Sequence, residues 1–408
     1  MNDTPTSTKL RPTRAASPSR DDWLVRVDAV GPFAAESAEV ADREHQLSAE
    51  LMAALHEQGL FRLLLPRAQN GFELDLPDYF HVMEAVASHD ASTAWCVCQA
   101  NCCATMAAYV DAGVADRMWG QNPAAVLSWG PGMAEARVVD GGYLLTAKSA
   151  FASGCHHATW LGVHAPAVYG PDGAPRTGAD GKPENRTMFF PADGIEIIEN
   201  WDVLGLRGTG SDGFAVDELF VPEEFTIVRA TMMERRPAHG AGPLYAFPHM
   251  ALHSTGFATV ALGTARRFIN EFLGMAQDKV PRQHTTPLRD KPVVQDEVAL
   301  AEARLSAARA FLLSEVEQAW AEAIADEALT MERRMRIRLA TTHAIREAKA
   351  AVDILYDSAG TSSIYASGPF ERRFRDIHMV VQQIQARRAH YQAVGAFMLG
   401  HPPDMTAV

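Results

Sequence analysis

Residues 200–224 read NWDVLGLRGTGSDGFAVDELFVPEE, and this stretch decides the fold of the chain. Its second half, DGFAVDELFVP, is rich in β-branched and aromatic residues and is bounded by Gly and Pro, which is typical of a strand. A short loop rich in hydrogen-bond donors, LRGTGS, precedes that strand. The stretch therefore predicts β structure in the middle of a chain whose flanks have the spacing of helices.

The predicted β region extends from this stretch toward the N-terminus. Residues 136–154, ARVVDGGYLLTAKSAFASG, hold two strand-like runs about an Asp-Gly-Gly turn, which is a hairpin signal. The Gly- and Pro-rich residues 170–185 predict an exposed loop. Together these segments predict a middle β domain, a small barrel or sandwich, at residues 125–240.

Helical spacing marks both flanks of the β domain. Apolar residues recur at three- and four-residue steps across residues 23–124, which predicts an N-terminal all-α domain. Residues 241–400 predict a C-terminal four-helix bundle, because long helical patterns are joined there by short links. These four helices are predicted near residues 248–278, 292–325, 328–359 and 370–399. The polar ends, residues 1–22 and 401–408, are predicted to be tails, the first of them disordered.

Composition limits the class of protein. The chain has 408 residues, 47% of them hydrophobic, which is enough for two or three packed domains. Its formal net charge of −13 argues against nucleic acid or an anionic membrane as the main partner, since both require a basic surface. No apolar run approaches the roughly 18 residues that span a bilayer. The five cysteines predict buried free thiols in a reducing compartment, and hence a cytoplasmic protein.

Several kinds of active site have no match in the sequence. The adjacent His156 and His157 cannot both ligate one ion from a strand, and no other set of His and Cys completes a metal site. No GxGxxG motif follows a strand and opens a helix, so a Rossmann nicotinamide site is not expected. The sequence therefore predicts neither a metal centre nor a Rossmann nicotinamide site.

The order of helices, β domain and four long helices resembles the acyl-CoA dehydrogenase superfamily, and three motifs support this resemblance. Residues 59–76, GLFRLLLPRAQNGFELDL, are similar to the superfamily's helix-to-turn passage. Residues 200–224 are similar to its mid-domain strand pair, and residues 368–378, GPFERRFRDIH, to the motif that opens its last helix. The resemblance covers residues 25–400 and implies the three-domain fold of that superfamily.

Two chemistries compete within this superfamily. Acyl-CoA dehydrogenases pass a hydride to FAD and need a carboxylate base, for which many members carry a Glu just before the last motif. Ser367 stands at that position here, and a serine cannot act as that base. A dehydrogenase of acyl-CoA type with an unusual base is therefore the second hypothesis. A catalytically silent flavin-fold binding subunit is the third.

The leading hypothesis is the oxygenase component of a two-component flavin-dependent monooxygenase, such as 4-hydroxyphenylacetate hydroxylase. Residues 149–163, SAFASGCHHATWLGV, residues 204–211, LGLRGTGS, and residues 90–98, DASTAWCVC, resemble this group. The resemblance implies that a separate reductase supplies reduced FMN or FAD. It implies that oxygen adds at the flavin C4a carbon and that an aromatic substrate, phenolic or indolic, is hydroxylated. It also implies a homo-oligomer, a dimer or a tetramer.

The resemblance assigns a cofactor site to residues of the β domain and the bundle. Ser153 is predicted to donate a hydrogen bond at flavin N5 and O4, and Trp129 to pack on the flavin ring. Arg282 and Gln295 are predicted to hold the phosphate or adenine end from a neighbouring subunit, because a guanidinium fork suits phosphate. The other predicted cofactor contacts are Arg207, Thr209 and Ser211. A purely structural role is the alternative for each of them.

Catalytic and substrate-binding residues are predicted mainly on the first and last helices of the bundle. The predicted catalytic residues are His378, Ser153 and His253. The resembling group commonly carries a His a few residues beyond the Arg-Asp pair, where Gln382 and Gln383 stand here. Aromatic and His side chains suit a flat aromatic ligand. The predicted substrate contacts are Asn101, Tyr245, Phe247, His249 and Gln383, with packing as the alternative.

Overall fold

The computed structural model describes residues 18–178, 181–229, 242–325 and 328–405. Its N-terminal region is helical, as predicted, with α1 (Arg20–Glu44), α2 (Ala49–Glu57), α3 (Leu76–His89), α4 (Ala91–Ala104) and α5 (Ala112–Ala115). Helix α1 begins inside the predicted tail, because Ser19 and Asp22 form a reciprocal capping box that satisfies two backbone N–H groups. The rest of that tail, residues 1–17, lies outside the described residues.

Helix α4 is the centre of the N-terminal domain, since every residue along it is buried. The carboxylate of Asp90 caps this helix by accepting from the backbone N–H of Thr93 at 2.7 Å. All five cysteines of the chain are buried and unpaired, as predicted, and four of them lie on α4. Within the ranges described, no helix is both long enough and apolar enough to cross a membrane.

The middle domain consists of two packed sheets, which confirms the predicted β domain. The strands are β1 (Leu127–Trp129), β2 (Gly132–Val139), β3 (Gly142–Ser149), β4 (Trp160–Ala165), β5 (Val168–Tyr169), β6 (Arg186–Pro191), β7 (Glu196–Ile198), β8 (Gly213–Pro222) and β9 (Thr226–Val228). Among the described residues, the first sheet has the order β1-β4-β6-β9 and the second β5-β2-β3-β8-β7. The predicted hairpin joins β2 to β3, with Gly141 at a φ of 74°, which a tight turn requires and glycine adopts easily.

The C-terminal region is helical, with α6 (His249–Asp278), α7 (Pro292–Ile324), α8 (Met331–Ala359), α9 (Glu371–Val380) and α10 (Ala389–Met398). The first three agree with the predicted helices, but the prediction of a single fourth helix is wrong, because it is divided in two. Gln385 lies in the break between α9 and α10. Its side-chain oxygen accepts from the Arg338 guanidinium, and its backbone carbonyl accepts from the Thr342 hydroxyl at 3.1 Å. Arg338 is almost fully buried, so the break supplies it with a polar partner that a continuous helix would not.

Candidate active site

The N-terminal helices, the β domain and the bundle meet at a set of aromatic, His and hydroxyl side chains. Helix α4, the turn after β3, the loop before β8, the first sheet and the first turns of α6 all contribute to it. We define the ring–hydroxyl cluster as Trp95, Trp129, Ser153, His164, Thr209, Ser211, His249, His253 and Phe257. Most of these side chains are buried. The cluster is therefore an interior site built by all three parts of the fold.

The register of the first sheet places Trp129 and His164 on one face. Leu161 and Val163 of β4 belong to the core between the sheets, so the alternate residues Gly162 and His164 face the other way. Strand β1 pairs Trp129 with Gly162. A Cβ at Gly162 would come within 3.3 Å of the Trp129 ring, so glycine there gives the indole room. The rings of Trp129 and His164 are 5.3 Å apart.

The first turns of α6 present two histidines to Trp129. His249 and His253 are four residues apart and share a helix face. Their ring centroids lie 4.2 Å from each other, and 5.3 Å and 6.5 Å from that of Trp129. Nε2 of His249 lies 3.2 Å from the carbonyl oxygen of Cys102, and Nδ1 of His253 lies 3.1 Å from the carbonyl oxygen of His249. A carbonyl only accepts, so these nitrogens carry the hydrogens. The other nitrogen of each ring has no hydrogen-bond partner among the described residues and can accept.

The histidines of the cluster are neutral at pH 7. Burial lowers the pKa of His253 to about 4. Burial, followed by the positive charge of Arg229, lowers the pKa of His164 to about 3. Burial is also the main reason that the pKa of His249 lies well below its ordinary value. Neutral imidazoles beside Trp129 can pack on a flat aromatic ligand and exchange hydrogen bonds with it.

A chain of hydroxyl groups begins at Trp95. The indole N–H of Trp95 donates to Ser153 Oγ at 2.9 Å. Ser153 Oγ lies 2.7 Å from Ser211 Oγ, which lies 2.7 Å from Thr209 Oγ1. The Thr209 hydroxyl donates to the carbonyl oxygen of Leu206 at 2.7 Å. An indole N–H only donates and a carbonyl only accepts, so each hydroxyl must donate in the direction of Leu206.

This direction determines what Ser153 offers to a ligand. The Ser153 hydroxyl donates its hydrogen to Ser211, and one of its lone pairs accepts from the Trp95 indole N–H. Its second lone pair can therefore accept a hydrogen bond from a ligand. The sequence predicted Ser153 as a donor, whereas in this arrangement it is an acceptor. Reduced flavin carries a hydrogen on N5, so the hydroxyl chain fits that group. The ring of Phe257 stacks on Trp95 at 4.0 Å and holds the first donor in place.

Arg207 anchors the loop that carries Thr209 and Ser211. Its guanidinium donates to the carbonyl oxygens of Asp42 at 3.1 Å and Val203 at 2.9 Å. These contacts hold the side chain against the C-terminal end of α1 and the loop before β8. Thr209 and Ser211 belong to the hydroxyl chain, and the predicted contact of Arg207 with the cofactor stays a prediction.

Asp212 joins the turn before Ser153 to the loop that follows β7. One carboxylate oxygen accepts from the backbone N–H groups of Asn200 at 2.6 Å and Trp201 at 2.7 Å. The other oxygen lies 2.7 Å from Nε2 of His156. The carbonyl of Asp212 accepts from the N–H of Ala152 at 3.0 Å. Asp212 thus holds the loop after β7 through its side chain and the turn before Ser153 through its backbone carbonyl.

Asp376 of α9 holds the same loop from the bundle side. Its Oδ1 accepts from the backbone N–H of Leu206 at 2.7 Å, and the residue is 2% exposed. Burial, followed by the negative charge of Asp90, raises the pKa of Asp376 to about 7. Burial therefore disfavours the ionised form, and the carboxyl keeps its proton up to about pH 7.

We expect the substitution Asp376→Asn to flatten the pH dependence of stability. The pKa of Asp376 is higher in the folded chain than its ordinary 3.8, so its stabilising contribution is present at low pH and is lost as the pH rises through about 7. The wild-type protein should lose roughly 2–3 kcal/mol of unfolding free energy between about pH 5 and about pH 8 through this group. Asparagine keeps the acceptor for Leu206 without the charge. Urea unfolding at about pH 5 and about pH 8 measures the free energy of unfolding of both proteins. An equal change in that free energy between the two pH values in wild type and Asp376→Asn would contradict the prediction.

Asn101 and Tyr245, two of the predicted substrate contacts, direct their polar atoms to backbone groups of the N-terminal domain. The amide nitrogen of Asn101 donates to the carbonyl oxygens of Leu60 at 2.7 Å and Val97 at 2.8 Å. Its oxygen accepts from the N–H of Leu64 at 3.1 Å. The hydroxyl of Tyr245 donates to the carbonyl of Leu64 at 3.0 Å. Both side chains hold the turn after α2 in place, and we leave them outside the proposed site.

Three further predicted residues have their contacts elsewhere. Phe247 is buried, and its ring stacks with Trp320 of α7 at 6.1 Å. His378 lies 2.8 Å from a carboxylate oxygen of Asp353 on α8. The side chain of Gln383 accepts from the backbone of the short turn that follows it. Within the described part of the chain, none of these contacts reaches the ring–hydroxyl cluster.

The two predicted contacts for the far end of the cofactor lie near the start of α7. Arg282 and Gln295 are both exposed. The amide of Gln295 donates to the carbonyl of Arg289 at 2.8 Å. The side chain of Arg282 makes no hydrogen bond or ion pair with the residues that the structure describes. No contact in the described residues joins either side chain to the ring–hydroxyl cluster, and their role in cofactor binding stays a prediction.

Several residues of the site are not among those predicted from the sequence. Trp95 lies in a segment that resembles the monooxygenase group, but only the fold brings it and Phe257 to Ser153. His164 carries a signal in the sequence, because it alternates with apolar residues of β4. Phe151 was also missed; it is 62% exposed with a φ of 56°, an unusual conformation for an aromatic residue that marks the turn into Ser153.

Comparisons with known proteins agree with this architecture. Family models for the acyl-CoA dehydrogenase N-terminal and C-terminal domains match residues 27–115 and 255–388. An indole-3-acetate monooxygenase from Pseudomonas putida is 29% identical over 364 residues, covering 89% of this chain and 90% of that protein. The HsaA oxygenase subunit of a flavin-dependent monooxygenase from Rhodococcus jostii is 28% identical over 366 residues, covering 87% and 92%. The crystal structure of a 3-HSA hydroxylase from Rhodococcus sp. RHA1 is similar with a TM-score of 0.87 at 26% identity, covering 96% and 100%.

The three-part fold, the buried cluster and these matches define a flavin-dependent oxidoreductase. The chain belongs to the acyl-CoA dehydrogenase superfamily. Both of the relatives just described from Pseudomonas putida and Rhodococcus jostii are named as monooxygenases. The predicted family and fold are thereby confirmed.

Proposed function

We propose that this chain is the oxygenase component of a two-component flavin-dependent monooxygenase that hydroxylates a phenolic or indolic substrate. The observation that carries the proposal is the ring–hydroxyl cluster, in which neutral rings adjoin a hydroxyl chain with one free acceptor. Reduced flavin activates dioxygen when bound, while the protein supplies binding, orientation and exclusion of water. The similar proteins named as monooxygenases support this assignment.

Ser153 is the proposed contact with the flavin edge. Its free lone pair would accept from the flavin N–H, and Ser211 and Thr209 keep that lone pair correctly oriented. Trp129 would lie against a flat ring of the flavin or the substrate. Since these side chains are already fixed by their neighbours, ligand binding would require little ordering.

His249 and His253 are the proposed groups for handling the substrate's proton. Each imidazole donates to a carbonyl through one nitrogen, and its other nitrogen has no partner in the part of the chain that the structure describes. A neutral imidazole accepts the hydrogen of a phenol or an indole and thereby orients the ring. We give no such role to His378, because its contact with Asp353 accounts for it within the bundle.

Arg282 and Gln295 are the proposed contacts for the phosphate or adenine end of reduced FMN or FAD. An exposed guanidinium with no described partner suits a phosphate that arrives with a second copy of the chain. We therefore propose a homo-oligomer, a dimer or a tetramer. A separate reductase would deliver the reduced flavin, in keeping with the name oxygenase subunit in the HsaA relative.

The site does not favour an acyl-CoA dehydrogenase. That reaction requires a carboxylate base at the reacting carbon. None of the hydrogen bonds or ring contacts made by Trp129, His249, His253 or Ser153 in the described residues involves a carboxylate. Ser367, which stands where the base is common, is exposed.

The test mixes the purified protein with chemically reduced FMN or FAD and oxygen, with and without a phenol or indole-3-acetate. The proposal predicts that bound flavin releases hydrogen peroxide more slowly than free flavin, and that the aromatic compound diverts oxygen into a hydroxylated product. Bleaching of tightly bound FAD by an acyl-CoA would establish a dehydrogenase instead. Failure to bind flavin in either redox state would favour a silent subunit.

A further inference from the structure

Arg229, directly after β9, continues the strand pairing of the first sheet at the edge of the ring–hydroxyl cluster. Arg229 follows β9, and its backbone N–H donates to the carbonyl of Asn185 at 2.9 Å, which continues the pairing of β6 with β9. Thr187 of β6 pairs with His164 of β4 on one side and with Ile227 of β9 on the other. Alternate residues of a strand share a face. Arg229, two residues beyond Ile227, therefore belongs to the face that carries His164.

The charge of Arg229 acts on the histidines of the cluster. After burial, it is the largest cause that lowers the pKa of His164. It also contributes, behind burial and the neighbouring imidazoles, to the low pKa of His249. No carboxylate is among the causes that act on these two rings or on His253. Among the described residues, Arg229 is therefore the one charged group that acts on any of these three imidazoles through its charge.

Arg229 has no counter-ion among the described residues. Its guanidinium makes no ion pair or side-chain hydrogen bond there, although burial lowers its pKa. Arg186, on the opposite face of the same strand pair, shows the contrast, because it bonds to Glu184 at 2.5 Å and to Thr226 at 2.6 Å. A partly buried cation without a partner is unfavourable. An anion that entered beside Arg229 would remove that cost.

We infer that Arg229 binds a carboxylate on the aromatic substrate, so that the preferred substrates are aromatic acids. This inference rests on the proposed function. A guanidinium fork holds a carboxylate with two parallel hydrogen bonds. The rings of Trp129 and His253 would contact the aromatic part, and the neutral imidazoles would not compete for the anion. The residue would therefore determine specificity without taking part in the chemistry.

The phosphate of a flavin would offer the same anionic chemistry. Arg229, however, lies on the sheet face beside the rings of the cluster. The exposed Arg282 lies before α7, where the phosphate end is proposed to bind. We assign the two arginines to different anions, and the experiment has to separate them.

The experiment compares acids with their neutral amides. Indole-3-acetate and 4-hydroxyphenylacetate, each with its primary amide, are dialysed to equilibrium against the protein loaded with reduced FMN under anaerobic conditions. We expect the wild-type protein to bind at least one acid about 30-fold more tightly than its amide, as for a desolvated charge pair. The variant Arg229→Gln should bind acid and amide equally. Arg137→Gln, which removes an exposed pair with Glu218, should behave as wild type.

Each other outcome decides the inference. If the wild-type protein binds no acid better than its amide, the inference is overturned. If Arg229→Gln instead weakens the binding of reduced FMN itself, the anion is the phosphate, and the inference again fails. If Arg229→Gln does not fold, Arg229→Lys is used instead, because lysine keeps the charge without the guanidinium fork. We expect Arg229→Lys to prefer the acid over the amide, but less strongly than the wild-type protein does. Slow peroxide release by flavin-loaded protein tests the proposed function independently of these results.

Discussion

Replacing Ser153 with alanine is expected to raise the hydrogen peroxide released per product by about 100-fold, which is the size of effect seen when one polar contact at a reacting group is lost. Ser153 Oγ is the point where the hydroxyl chain has a free acceptor. Alanine removes that acceptor, so a bound flavin would lose its contact with the chain. Activated oxygen would then escape as peroxide before it reaches the substrate.

The substitution also leaves a buried donor without a partner. The indole N–H of Trp95 bonds to Ser153 at 2.9 Å and would lose its acceptor, at a cost of about 1–3 kcal/mol in stability. Peroxide and product are quantified together in single-turnover reactions with reduced flavin. Ser254→Ala is the matched control, because Ser254 is also buried but donates only to the carbonyl of Ala251 at 3.1 Å. A wild-type ratio of peroxide to product in Ser153→Ala would refute the assignment of Ser153.

The fold was largely predictable because its signals are local. The Asp-Gly-Gly turn between β2 and β3 and the three- and four-residue steps of α6, α7 and α8 are properties of short stretches of sequence. The divided last helix was not predictable in this way. Its break depends on Gln385 meeting Arg338, which lies 47 residues away in the chain. Such a tertiary contact overrides a continuous helical pattern.

The site was less predictable than the fold, because its order comes from long-range contacts. Ser153 could be named from its motif, but the direction of its hydrogen follows from Trp95, which lies 58 residues earlier. His378 stood in a suggestive motif, yet its partner is Asp353 on a neighbouring helix. Arg229 gave no signal at all, since an isolated arginine after a short strand is ordinary in sequence.

His249 and His253 lie on α6, whereas the His that the resembling group commonly carries would lie just after α9. The resembling group commonly has a His near the position of Gln383, and here that glutamine caps a short turn between α9 and α10. Two of the three imidazoles beside Trp129 are those of His249 and His253 on α6, and the third, His164, lies on β4. We therefore assign the proposed handling of the substrate's proton to α6 and not to the segment around Gln383.

Arg62 is expected to make the largest single contribution to stability near the site. Its guanidinium is buried and donates to four backbone carbonyls, those of Gln69 at 2.8 Å, Trp119 at 2.9 Å, Asn122 at 2.6 Å and Pro123 at 3.1 Å. These bonds fix the segment that leads from the N-terminal helices into β1. Since β1 ends at Trp129, the position of that ring depends on Arg62.

We expect Arg62→Met to lower the free energy of unfolding by about 3–5 kcal/mol, because it fills the space but leaves buried carbonyls without donors. Arg62→Lys should recover less than half of the loss, since three donors on one nitrogen cannot reach carbonyls spread around a planar fork. Urea unfolding measures both variants, with Arg43→Met as the exposed control that should stay within about 0.5 kcal/mol of wild type. Amide hydrogen exchange at residues 127–129 should also be faster in Arg62→Met. Unchanged exchange there, together with a full loss of stability, would mean that Arg62 stabilises the domain without positioning Trp129.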